Sequence, residues 1–172
     1  MMHYCLVPMK VTVSQRLLDL VTRRSAIGYC IYNNNNLVLW SSKKTDSIAL
    51  STCEAEFISV AKLTQEALYF QQLINEFYSE SIKQFNIYCD NKSAINLATN
   101  SNDHGRSKHI DIGMSFVRDH MQGKTLVLEY IDTTTQTADI FTKGLSREKF
   151  LKHKYELNLV SEEGDDEIGR DC

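Results

Sequence analysis

No run of apolar residues in this chain approaches the roughly 20 that a membrane-spanning helix requires, although 42% of its 172 residues are hydrophobic. That argues against helical membrane spans and for one globular domain with a tail, long enough to bury a real core. The opening MMHYCLVPMKVTVSQ lacks an uninterrupted apolar stretch and a small-residue cleavage site, so no secretory signal is expected there. Cysteine is sparse and odd in number. Cys5, Cys30, Cys53, Cys89 and Cys172 show no close pairing, which disfavours a thiolate metal cluster or a disulfide framework and points to reduced thiols inside a cell. The histidines are too dispersed for a zinc site, and no serine, histidine and acid set stands out. Proline occurs once, at Pro8, where it pushes the flanking strand candidates towards a sheet edge.

An excess of basic charge is also missing. The formal net charge is −3, but residues 161–172 hold six acids and one arginine, leaving 18 basic against 16 acidic residues elsewhere. The acidic end reads as a solvated, disordered tail. The remaining body permits a local nucleic-acid patch without arguing for one.

The most legible stretch is residues 82–99, IKQFNIYCDNKSAINLAT. Phe85, Ile87 and Cys89 alternate with Asn86 and Tyr88 as in a half-buried strand. A helical pattern of Ala94, Ile95, Leu97 and Ala98 follows at once. Asp90 and Asn91 therefore stand where a strand stops and a helix starts, which suits a helix cap and equally a ligand or metal site in an α/β fold. Upstream, AIGYCIY and LVLWSS around four asparagines read as a β-hairpin, and SIALST as a third strand or extended piece. Ser51 or Thr52 opens a long helix with an apolar stripe through Phe57, Ala61, Leu68, Ile74 and Phe77. Downstream come a helix through Ile110, Met114, Val117 and Met121 closed by Gly123, the strand TLVLEYI, a short helix near Ala138 and Asp139, and a last helix opened by Ser146. The expected class is α/β, a mixed β-sheet flanked by helices, with the first strand divergent or missing. Residues 1–18 are a poorly readable segment in which 11–13 suit a strand and 15–21 equally a helix. Residues 19–160 form the domain and 161–172 the tail.

Three carboxylates share one kind of position. Glu54 falls in the first turn of the long helix, Asp90 at a strand end and Asp139 at a helix start. Acids are welcome at helix N-termini for the dipole alone, and Glu54 and Glu56, two apart, face different ways. If the three converge, they repel unless a divalent cation lies between them. Oxygen ligands select magnesium or manganese over zinc, and two such ions about 4 Å apart suit phosphodiester hydrolysis.

The strings SSKKTDSIALSTCEAEF, IYCDNKSAINLATN, SKHIDI, LEYI and QTADIFTKGL, in order over residues 19–159, resemble the ribonuclease H domain of copia-type retrotransposon Pol polyproteins. The resemblance implies a ribonuclease H-like fold, cleavage of the RNA strand of RNA–DNA hybrids in reverse transcription, and two bound magnesium (or manganese) ions. It also implies a reverse transcriptase domain of the same polyprotein as partner, no membrane, and an intracellular setting in a cytoplasmic particle or the nucleus. Integrase-type strand transferases share the fold, but these strings match the ribonuclease branch. Glu54, Asp90 and Asp139 fall on three of that family's four metal-binding carboxylates.

The fourth does not carry over. The family's opening strand reads close to YSDADWAGDLDTRRST where this chain has VTVSQRLLDLVTRRSA, and the shared Asp19 and Arg23-Arg24-Ser25 put the catalytic aspartate on Val13. A valine cannot bind metal, so a loss on the order of two to four decades in rate is expected. The break in similarity before Asp19 suggests a joined, truncated or frame-shifted copy, and a remnant that keeps the fold without turnover is the alternative. Asp132, Gly144 and Ser146 replace residues of the family pattern, with proline lost, which is expected to loosen the backbone around Asp139. Asn91 suits a minor-groove or 2′-hydroxyl contact as well as a cap. Lys43, Lys44, Arg106, Lys108, His109 and Lys143 are candidate phosphate contacts and, singly, also ordinary surface groups. Trp40 reads as a core or sheet-face residue.

Overall fold

In the computed structural model, residues 9–17, 25–44, 52–77, 82–99 and 108–159 are described, with 15–17, 25, 52–56 and 108–110 described by backbone alone. The expected tail 161–172, Asp19, Arg106, Pro8 and the SIALST piece up to Ser51 lie outside them.

Among the described residues, five strands form one sheet in the order β3-β2-β1-β4-β5: β1 Met9–Leu17, β2 Ser25–Asn33, β3 Asn36–Lys44, β4 Phe85–Cys89 and β5 Leu126–Tyr130. β1, β2 and β3 run antiparallel, and β1, β4 and β5 parallel. The strand that the sequence leaves divergent or missing is therefore present, and it is the middle of the sheet. Pro8 precedes it, so its ladder needs no amide from proline and the edge expectation fails. The helical alternative for 15–21 fails at Gln15 to Leu17, which extend β1 opposite Ser25 to Ile27.

Alternation decides what each face carries. Met9, Val11 and Val13 turn into a core with Ile27, Tyr29, Ile31, Phe85, Ile87 and Cys89 of the neighbouring strands. Helices α1 (Thr52–Phe77), α2 (Lys92–Thr99) and α3 (Lys108–Gln122) cover that face through Phe57, Val60, Leu63, Ala94, Met114 and Val117. Of the expected α1 stripe, Phe77 is instead 77% exposed and Val60 takes a core position. On the opposite face Cys30 and Tyr32 meet Ala138 of a 3-10 turn (Thr137–Phe141) and Leu157 beyond helix α4 (Arg147–Glu156).

Local chemistry explains the joints. The hairpin turns on Asn34 and Asn35, both with positive φ (52° and 61°), the left-handed pair a two-residue loop requires. α3 ends in a Schellman arrangement, with Thr125 N–H donating to His120 and Lys124 N–H to Met121. The left-handed residue there is Lys124 (φ 57°), one beyond the glycine expected to close the helix. Asp132 does not loosen its loop. Its Oδ1 accepts from Thr134 N (2.9 Å) and Thr134 Oγ1 (2.6 Å), capping a second 3-10 turn over Thr133–Thr135. Ser146 likewise caps α4 through Lys149 N.

α4 is pinned by one carboxylate. Glu156 Oε2 accepts from Thr137 Oγ1 at 2.9 Å and lies 2.8 Å from Nδ1 of buried His153. Burial pushes the Glu156 carboxyl up, but the His153 and Thr137 hydrogen bonds outweigh it and hold the group below the usual carboxylate range. A depressed carboxyl contributes stability above its unfolded value and loses it as pH falls through the folded one. Glu156→Gln is therefore expected to lower the urea midpoint near neutral pH, with the gap to the parent closing below about pH 4. A gap constant across that range would show that the charge is not what pins α4.

Candidate functional site

The site is built where β4 ends beside β1, which runs on to Leu17 against β2. The register pairs Val13 with Cys89 in parallel, so Ser14 and Asp90, one residue further along each strand, share one end of the sheet. The Ile131 amide still donates to the Cys89 carbonyl (3.1 Å), which brings the loop after β5 to the same end. From it Thr133 Oγ1 donates to Asp90 Oδ2 at 3.2 Å.

Asp139 approaches from the other side, on the 3-10 turn. It is only 4% exposed. Its Oδ1 accepts from Ser14 Oγ at 2.5 Å and from Lys143 Nζ at 2.8 Å, and Ser14 Oγ also lies 3.1 Å from Thr142 Oγ1. Charge-assisted bonds of this kind are the stronger class. Val13 takes no part by its side chain, which is 1% exposed within the helix-face core. Only its carbonyl reaches this side, accepting from Gln136 Nε2 at 2.8 Å, while Gln136 Oε1 is buried with no partner. The residue that β1 presents to Asp139 is thus Ser14, one position from the Val13 that the sequence register named.

The turn bearing Asp139 is seated on strands β2 and β3. Ser42 Oγ donates to the Phe141 carbonyl (2.7 Å), and Trp40, 60% exposed, stacks on the Phe141 ring at 5.4 Å and 8°. Trp40 is a sheet-face residue, not a core one. Beneath the turn lies Gly28, where a Cβ would come within 2.7 Å of Thr142 Cγ2, 2.8 Å of Phe141 Cβ and 3.1 Å of the Ala138 carbonyl oxygen.

Of the remaining expected residues, Glu54 stands in the first turn of α1, with its side chain outside the described set. Asn91 Oδ1 accepts from the Ser93 and Ala94 amides (2.9 and 3.1 Å), the cap alternative. Lys43 and Lys44 are exposed at the end of edge strand β3. Lys108 and His109 open α3, described by backbone alone. Lys143 is committed to Asp139 in place of a free phosphate contact. The sequence reasoning missed Ser14 and Thr133. A strict period-two reading of 9–14 carries the signal for the first, since it sets Thr12 and Ser14 opposite the apolar Met9, Val11 and Val13.

Among the described residues no group of three or more His, Cys, Asp or Glu side chains is placed to hold a metal. The donors present at this end are carboxylate and hydroxyl oxygens, which fit a hard divalent cation and not zinc. Cys89, Met9 and Met114 face away, into the helix-face core, and Cys30 packs with Tyr32, Ala138 and Leu157 beside Thr12.

No protein-family model matches the chain. It is 34% identical over 132 residues, 77% of its length, to the retrovirus-related Pol polyprotein from transposon TNT 1-94 of Nicotiana tabacum. It is 37% identical over 136 residues, 79% of its length, to that from transposon RE1 of Arabidopsis thaliana. The matched parts are 10% and 9% of those polyproteins, so the chain spans about a tenth of the curated relatives it matches. Among solved structures, RNase H1 from Halobacterium salinarum NRC-1 superposes with a TM-score of 0.58 at 12% identity, covering 85% of this chain and 98% of that one. LC11-RNase H1 in complex with an RNA/DNA hybrid gives 0.55 at 12% identity, covering 78% and 93%. These likenesses show the fold.

The seat of the turn is open to test. Gly28→Ala should cost about 1–3 kcal/mol by overpacking in urea denaturation, because the added methyl meets both a backbone oxygen and two side chains. An unchanged midpoint would mean that the Asp139 turn does not rest on β2.

Proposed function

Since this chain belongs with the retrovirus-related Pol polyproteins of copia-type transposons and has a ribonuclease H-like fold, we propose that it is a ribonuclease H domain cleaving the RNA strand of RNA–DNA hybrids, slowed by the lack of a carboxylate on β1. Its natural neighbour would be the reverse transcriptase domain of the same polyprotein, inside a cytoplasmic particle or the nucleus. The observation that carries the reading is the meeting of Ser14 and Asp139 beside the strand end that bears Asp90.

Asp90, Asp139 and, from α1, Glu54 would hold magnesium or manganese. Such an ion supplies charge stabilisation at the scissile phosphate and a more acidic water. The chain's own residues supply position. Thr133 orients Asp90, and Ser14 and the seat on Gly28, Trp40 and Ser42 fix Asp139. Lys43 and Lys44, exposed on the edge strand, would contact phosphates of the hybrid without reading sequence. Ser14 donates a hydrogen bond to Asp139 but adds no negative charge, so the β1 position beside Asp139 carries a neutral hydroxyl. That observation favours a second reading, a remnant that binds hybrids without turnover.

The test is cleavage of a labelled hybrid with magnesium or manganese by the parent, Ser14→Asp and Val13→Asp, with Asp90→Asn as the inactive control. Ser14→Asp is expected to gain about two to four decades in rate. Val13→Asp should lose at least about 3 kcal/mol of stability, because it buries a charge in the helix-face core. A parent already fast, with Ser14→Asp no faster, would contradict the slowed-enzyme reading. Inactivity of both folded forms would leave the remnant.

A further inference from the structure

Lys143 does something that anchoring the turn does not require. The turn is already tied to the sheet through the Gln136 amide on the Val13 carbonyl, the Ser42 hydroxyl on the Phe141 carbonyl, the Trp40–Phe141 stack and the Gly28 gap. Its own closure is made by the Thr142 and Lys143 amides, which donate to the Asp139 carbonyl at 3.1 and 2.9 Å. With those bonds made, the Lys143 side chain folds back four residues and sets its ammonium 2.8 Å from Asp139 Oδ1, the oxygen that Ser14 also holds. The side chains are 29% and 6% exposed, so the pair is only partly screened by solvent. One carboxylate oxygen thus carries a full positive charge and a hydroxyl donor.

We propose that Lys143 is a built-in counter-ion of this site, which holds Asp139 while no metal is bound and which a divalent cation must displace. The inference rests on the reading of Asp139 as a metal ligand and goes beyond it, because it makes Lys143 a positioning residue that sets metal affinity. An ammonium and a divalent ion seeking the same carboxylate oxygen repel each other. A carboxylate on β1 would tilt the competition towards the metal. With Ser14 there, it tilts towards Lys143. The same lysine, once displaced, is free to turn outward to a phosphate.

The test is Mn2+ binding by the full chain, read from the loss of the free-ion EPR signal, for the parent, Lys143→Met, Lys143→Arg, Asp139→Asn and Ser14→Asp, with melting curves for each. Lys143→Met keeps the length and apolar stem but removes the charge, and is expected to bind Mn2+ about tenfold or more tightly than the parent. Lys143→Arg, which keeps the cation, should bind as weakly as the parent, and Asp139→Asn should not gain. Equal or weaker binding by Lys143→Met would overturn the counter-ion role while leaving the metal reading intact. Tighter binding by Lys143→Arg as well would assign the effect to packing and overturn it too. No binding by any folded form, Ser14→Asp included, would remove the metal reading itself and this inference with it.

Discussion

The two-sided character of β1 is the constraint on which the rest depends. It is the central strand, paired with β2 on one edge and β4 on the other. Met9, Val11 and Val13 are at most 1% exposed, each contributing about 1.5–3 kcal/mol by burial against α1 and its neighbours. Thr12 and Ser14 lie on the reverse face, where Thr12 Oγ1 meets Cys30 Sγ at 3.0 Å and Ser14 meets Asp139. A slip of one residue would bury two hydroxyls among Phe57, Phe85 and Ile87 and would turn the apolar set outward. The same register that builds the core therefore decides which side chain reaches the carboxylates.

The chemistry at the sheet end is held by parts of quite different kinds. Asp90 needs only the end of β4 and a hydroxyl from the loop after β5. Asp139 needs a whole seat: a strand position without a side chain, an aromatic stack and a hydroxyl on the turn's carbonyl. Where proline is missing from this loop region, side-chain caps at Asp132 and Ser146 do the fixing instead. They restrain the backbone by hydrogen bonds, not by a ring.

The sequence spoke clearly where pattern and neighbours agree. The alternation of residues 85–89 and the asparagine hairpin mark two strand units, and the stripe from Phe57 to Ile74 marks α1. The 3.6-period stripe misled at Phe77, because the last turn of α1 runs past the edge of the core. β1 was obscured because Pro8 suggests an edge and 15–21 also suits a helix, and only pairing on both sides decides between them. Asp90 and Asp139 were legible from their strings, whereas Ser14 was not. Counting back from Asp19 measures chain length, and the residue that meets Asp139 is set by the face of β1 that each side chain takes. Lys143 was legible as a cation, but its partner was fixed only by the closure of the turn.

The account of this end of the sheet depends on Val13 facing the helices and Ser14 facing Asp139. Side-chain NOEs in the isotopically labelled chain test it directly. The expected result is contact between the Ser14 β-protons and the Thr142 methyl, with the Val13 methyls close to the aromatic core of Phe57 and Phe85. Contact of the Val13 methyls with Thr142, and of Ser14 with the helix-face core, would contradict it and put Val13 beside Asp139.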